Sequence, residues 1–129
     1  MTKYPFEFSD DTNLIIIIAK VDGYEVRLAL DTGASDTVID FTALMIAGYR
    51  KNNVVEEVEL ETAKGIITAD VFKVNEISTL GMSKRGFNVC SYDFLANNIL
   101  TDIDGVLGLD FFMGKKVCID LNKFDITIH

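Results

Sequence analysis

The residue of this chain best placed to do chemistry is Asp31, in the string Asp31-Thr32-Gly33-Ala34-Ser35. The segment Glu25 to Leu30 alternates polar and apolar residues and runs straight into it. A strand of that kind carries the following aspartate to the edge of a packed sheet. Gly33 permits a tight turn and the close approach of other groups. Thr32 brings a small hydroxyl able to bond backbone across an interface, and Ala34 leaves room for a chain to lie alongside. A carboxyl held there can give or take a proton, but not both at once. Hydrolysing an amide needs one group to activate water while another protonates the carbonyl oxygen. Two carboxyls sharing one proton supply that pair, because neighbouring carboxylates cannot both ionise cheaply. The sequence holds a single Asp-Thr-Gly, and Asp102, Asp104 and Asp110 sit in no matching motif. The simplest second carboxyl is therefore Asp31 of another copy, brought in by a two-fold axis.

The elements that must position Asp31 read as strands. Asn13 to Lys20 is a continuous β-branched run, as in a strand buried on both faces. Val21-Asp22-Gly23-Tyr24 is a turn, and Glu25 to Leu30 its hairpin partner. Val38 to Asp40 is a short strand. Phe41 to Tyr49 is the helix of the first half, with Asp40 as its N-cap. Val54 to Thr62 alternates, Ala63-Lys64-Gly65 turns, and Ile66 to Val74 returns. Phe87 to Tyr92 is a strand, followed by a loop through Asp104. Gly108 to Met113 opens a short helix, with Asp110 expected to cap it. Val117 to Ile128 forms a hairpin around Asn122-Lys123. Glu56, Glu57, Glu59 and Glu61 read as a solvated strand face. Tyr49, Tyr92 and Phe111-Phe112 read as core or interface.

Composition narrows the function. The 129 residues suit one domain, 1–129, with 49% apolar and 25% charged residues. A net charge of −8 argues against a nucleic-acid partner, which needs clustered Lys and Arg. No glycine-rich phosphate loop is present, and no His or Cys cluster that would hold a metal. No cofactor is expected. Cys90 and Cys118 lie in apolar runs and read as free thiols. The start of the chain carries Glu7, Asp10 and Asp11 where a secretory leader has basic residues, and Leu14 to Ala19 is too short to span a bilayer. A cytoplasmic protein without membrane contact is the expectation.

The segment Leu30-Asp31-Thr32-Gly33-Ala34-Ser35 resembles the active-site loop of clan AA aspartic proteases. Downstream, Gly105-Val106-Leu107-Gly108-Leu109-Asp110-Phe111-Phe112 is similar to the hydrophobic-hydrophobic-Gly element packed beside that loop in the same family. Six residues can match by chance; two motifs in this order, with a hairpin between them, are far more specific. With one motif instead of two, the chain looks like the single-lobe, retropepsin type. The resemblance implies a mostly β, closed barrel-like sheet with short helices. It implies a homodimeric endopeptidase acting on peptide or protein substrates, with Asp31, Thr32 and Gly33 in the catalytic loop. Aspartic proteases are the general example of paired carboxyls sharing a proton, so activity should favour acidic pH. Ala34 and Ser35 would touch substrate, and the hairpin tip Ala63, Lys64 and Gly65 would be a flap over it. That tip has fewer glycines than many viral flaps and lacks the tyrosine of pepsin-like ones. The extended ends, Thr2 to Phe8 and Asp125 to His129, would interleave between subunits. A different reading keeps the fold as a dimerisation or peptide-binding module with weak catalysis. The intact Asp31-Thr32-Gly33 favours the enzyme.

Overall fold

A computed structural model describes residues 1–9, 13–62, 65–99 and 101–129. Strands dominate. β1 (Tyr4–Pro5), β2 (Glu7–Phe8), β3 (Ile15–Val21) and β4 (Tyr24–Leu30) precede the Asp31 loop. β5 (Val38–Ile39) and helix α1 (Phe41–Ile46) follow it. Then come β6 (Val54–Thr62), β7 (Gly65–Thr79), β8 (Met82–Ser91), β9 (Gly105–Leu107), helix α2 (Leu109–Phe112), β10 (Val117–Asp120) and β11 (Asp125–Ile128).

The described strands form two sheets. The larger runs β2-β3-β4-β9-β5-β8-β7-β6, and the smaller runs β1-β11-β10. The larger sheet curls until the end of β3 meets β7 at Lys20–Ser78 and Val21–Ile77. Closure extends over those two residue pairs, so the expected barrel is a strongly curled sheet closed at one corner. The curl encloses a core that includes Ile17, Leu28, Ile39, Leu44, Phe72, Val74, Leu107 and Phe111. Burying one such side chain contributes roughly 1.5–3 kcal/mol.

Local chemistry explains where the elements differ from their sequence-based bounds. The first helix stops at Ile46 rather than Tyr49. Gly48 takes φ +105°, its N–H donates to Met45 O, and the Tyr49 N–H reaches back to Leu44 O. That is a Schellman stop, which needs a left-handed residue. Asp40 makes no side-chain cap; its Oδ1 instead accepts the Phe94 N–H at 3.0 Å. β7 and β8 form one long hairpin around Leu80-Gly81, both at positive φ. A type I′ turn demands that geometry, but leucine does not advertise it. Leu80 is buried, and its packing offsets the backbone cost. All four glutamates of β6 are exposed, as expected. The register slips between Val54 and Glu56, ahead of the regular pairs Glu56–Val71 and Glu57–Asp70.

Candidate active site

The site is assembled by β9, a three-residue strand that slots between β4 and β5. It runs parallel to β4, with Leu28 opposite Gly105 and Leu30 opposite Leu107. It is antiparallel to β5, with Val38 opposite Val106. The two strands that flank the Asp31 loop are thus held apart and in register by the second motif. The Asp31 N–H donates to Leu107 O at 3.1 Å, and the Ala34 N–H closes the turn onto Asp31 O at 3.2 Å. The Gly33 N–H donates to Asp31 Oδ1 at 2.8 Å. A Cβ on Gly33 would crowd that same oxygen at 3.1 Å. The carboxyl is therefore oriented by its own loop while remaining exposed, as are Thr32 and Gly33.

Below the loop lies a tie that the sequence did not reveal. Thr37 is completely buried. Its Oγ1 donates to Asp110 Oδ1 at 2.7 Å, and its N–H donates to Asp110 Oδ2 at 3.0 Å. The Gly108 N–H donates in turn to Thr37 Oγ1 at 3.1 Å. Two further backbone bonds, Leu109 N–H to Ala34 O and Asp110 N–H to Ser35 O, bind α2 to the loop at 2.9 and 3.2 Å. Asp110 was expected to cap its helix. Gly108 occupies the cap position instead, and the Asp110 carboxylate clamps the Asp31 loop to the second motif. Gly108 must be glycine for steric reasons, since a Cβ would stand 2.6 Å from the Asp36 carbonyl carbon.

Asp31, Gly33, Ala34 and Ser35 line one groove of about 460 Å³. Its walls come from three other places: Leu60, Glu61 and Thr62 on β6; Tyr92 and Phe94 after β8; and Ile99 and Ile103 leading into β9 with Val106 inside it. None of these wall residues was identified as a groove residue from the sequence. Tyr92, expected in core or interface, is half-buried in the groove wall. Apolar side chains before a polar loop carry no signal of which face they show. Of the expected flap, Ala63 and Lys64 lie outside the described residues. Gly65 opens β7 opposite Thr62 and does not line the groove. Thr32 points elsewhere, into a second hollow.

The electrostatics argue against thiol chemistry at Cys90. Cys90 backs the groove opposite Val38. Burial pushes its thiol up to about 11, with Asp36, Asp110 and Glu56 adding negative charge. A thiol so raised is a poor nucleophile. Burial, then the charge of Asp40, likewise raises Tyr92, so its hydroxyl stays protonated and able to donate. Both cysteines are free, and the described residues contain no cluster able to hold a metal. Among them no helix is long and apolar enough to cross a membrane.

The fold and the loop geometry together define a lobe of the aspartic-protease type. The family model described as aspartyl protease matches residues 17–111, and the chain belongs to that family. No curated protein matches the sequence significantly. Among solved structures, the chain is similar to a retropepsin-like aspartic protease from Rickettsia conorii. That match has a TM-score of 0.73 and 19% identity, and covers 99% of this chain and 91% of that one. It is also similar to the EIAV protease, solved with an inhibitor, with a TM-score of 0.59 and 15% identity over 81% and 89% of the two chains. At these identities the likeness establishes the fold, which is retropepsin-like.

Proposed function

We propose that the chain is an aspartic endopeptidase that works as a homodimer, with one Asp31 from each copy flanking the scissile bond. The observation that carries this reading is the Asp31 carboxyl itself. It is oriented by the Gly33 N–H, exposed to solvent, and part of the lining of a groove of about 460 Å³. In the paired site one carboxylate takes a proton from water while the other, protonated, gives its proton to the carbonyl oxygen. The resulting diol collapses when the amine leaves with a proton. The groove's apolar walls favour apolar side chains beside the cut, and strand-like pairing would hold the peptide. Residues 1–129 act as one unit in this reading. A cytoplasmic setting agrees with the two free thiols.

The test is incubation with an unfolded protein at several acidic and neutral pH values. Cleavage that is blocked by a pepstatin-like transition-state mimic and absent in Asp31→Asn supports the reading. Peptide binding without cleavage would assign the chain to the alternative, a binding module that kept the fold.

A further inference from the structure

One wall of the groove comes from a connection rather than from a strand. It is the stretch from Tyr92 to Asp104, between β8 and β9, and it brings Tyr92, Phe94, Ile99 and Ile103 to the groove. Resting on the peptidase reading above, we propose that Asp40 is a positioning residue for substrate selection. Its carboxylate holds this wall in place, and the wall favours a large apolar side chain of the substrate over a small one.

Both ends of the connection meet at Asp40. At its start the Phe41 N–H donates to Tyr92 O at 3.1 Å, and Asp40 Oδ1 accepts the Phe94 N–H at 3.0 Å. At its end the Asp40 N–H donates to Asp104 O at 2.7 Å. Asp104 is fixed to β4 as well: its N–H donates to Arg27 O at 2.7 Å, and its Oδ2 accepts the Arg27 N–H at 2.8 Å. The end at Asp104 is thus secured without the Asp40 side chain, whereas the start depends on it. Phe94 is only 7% exposed, so its N–H would be a buried donor without the carboxylate, and a bond to a charged acceptor is among the stronger kinds. Phe94 in turn orders its neighbours. Its O accepts the Ile99 N–H at 2.8 Å, and its ring centroid lies 4.9 Å from that of Tyr92. The bond that fixes Phe94 therefore sets three of the wall's side chains at once.

Asp40 can act on this wall without disturbing the Asp31 loop. Thr37, whose hydroxyl and N–H bind Asp110 beneath that loop, precedes β5; Asp40 follows it. The helix after Asp40 draws no cap bond from the side chain, so the carboxylate serves the wall alone among the described residues. A substrate side chain lying against the wall is held equally before and during bond cleavage. Loosening the wall should therefore raise KM and spare kcat. Apolar walls sort side chains by size, through the area that each can bury.

Two measurements on the full chain test this. The first is steady-state cleavage of peptide pairs that carry phenylalanine or alanine at one position near the cut, moved along the peptide in turn. At the position that meets the wall, Asp40→Ala should raise KM for the phenylalanine peptide about tenfold, the lower end of what a charge-assisted hydrogen bond contributes. The preference for phenylalanine over alanine in kcat/KM should shrink with it, while kcat stays near wild type. Asp40→Asn keeps an oxygen that can accept the Phe94 N–H and should restore most of both. The second is hydrogen exchange at the Phe94 amide without substrate, which should quicken about tenfold in Asp40→Ala and stay near wild type in Asp40→Asn. Should Asp40→Ala fail to fold, Asp40→Ser offers a hydroxyl that can cap the helix but ends one atom short of the Phe94 N–H, and should show the same losses. Wild-type exchange in the Ala or Ser variant overturns the positioning role. So does an unchanged KM and preference, a loss confined to kcat, or an Asn variant as impaired as the Ala one. The peptidase reading fails separately. A wild-type chain that binds these peptides without cutting them sinks it, and the same changes are then read in Kd. A chain that neither cuts nor binds sinks both.

Discussion

Replacing Thr37 with valine removes a single oxygen from the buried tie beneath the Asp31 loop and keeps the shape. Two bonds disappear: Thr37 Oγ1 to Asp110 Oδ1 at 2.7 Å, and Gly108 N–H to Thr37 Oγ1 at 3.1 Å. The first is charge-assisted and contributes about 1.5–3 kcal/mol. Loss of the second strands a buried N–H, which costs about 1–3 kcal/mol. The new methyl returns about 0.8 kcal/mol at best. The Thr37 N–H still reaches Asp110 Oδ2, so the clamp weakens without opening. We expect a net loss of about 3 kcal/mol. Urea unfolding reads it directly, at fixed protein concentration because the proposed dimer would make stability concentration-dependent. With m of roughly 1.5 kcal/mol/M, the midpoint should fall by roughly 2 M. Thr37→Ser restores the hydroxyl and should cost about 1 kcal/mol, the value of a buried methyl. A Thr37→Val midpoint within about 0.3 M of wild type would show that the tie is not a structural support. Equal losses in the Val and Ser variants would assign the effect to packing.

Other outcomes follow from the same geometry. Asp31→Asn should lower kcat by about 10²–10⁴-fold or more with no change in melting temperature. Mixed with excess mutant chains, wild-type activity should drop below simple dilution, because mixed pairs lose the proton-sharing partner; strict proportionality would mean each chain acts alone. Gly108→Ala forces backbone apart at Asp36 and should destabilise by about 1–3 kcal/mol, seen as a lower urea midpoint. Tyr49 donates to Asp22 Oδ2 at 2.7 Å and accepts the Asn75 N–H at 2.8 Å. Burial, then the bond to Asp22, pushes its phenol up to about 12 from 10.0. Below pH 10 the phenol is neutral whether folded or unfolded, so its contribution is intact. Above it the unfolded chain ionises first, and stability should fall until the folded phenol ionises near pH 12. Tyr49→Phe should flatten that alkaline loss; an unchanged slope would place the titration elsewhere.

The local sequence determined more of this protein than its 129 residues would suggest. Asp31-Thr32-Gly33 after an alternating strand, and Gly105 to Phe112 downstream, located the candidate site and the family, because tight turns and close approach need particular residue types at fixed spacing. The β-branched run before Lys20 and the alternation after Val54 marked strands for the same reason: the signal is written in neighbouring residues. Tertiary structure decided what those residues meet. Asp40 and Asp110 both looked like helix caps, yet their carboxylates bond the N–H of Phe94 and the backbone and hydroxyl of Thr37, the latter 73 positions away. Leu80-Gly81 became a hairpin turn because burial of Leu80 outweighs a backbone preference that sequence windows register as unfavourable. The groove walls on β6 and before β9 likewise required the curl of the sheet to bring them over Asp31. A carboxylate's nearest donor or an apolar side chain's exposed face depends on chain segments far away in sequence, and only packing the whole sheet sets it.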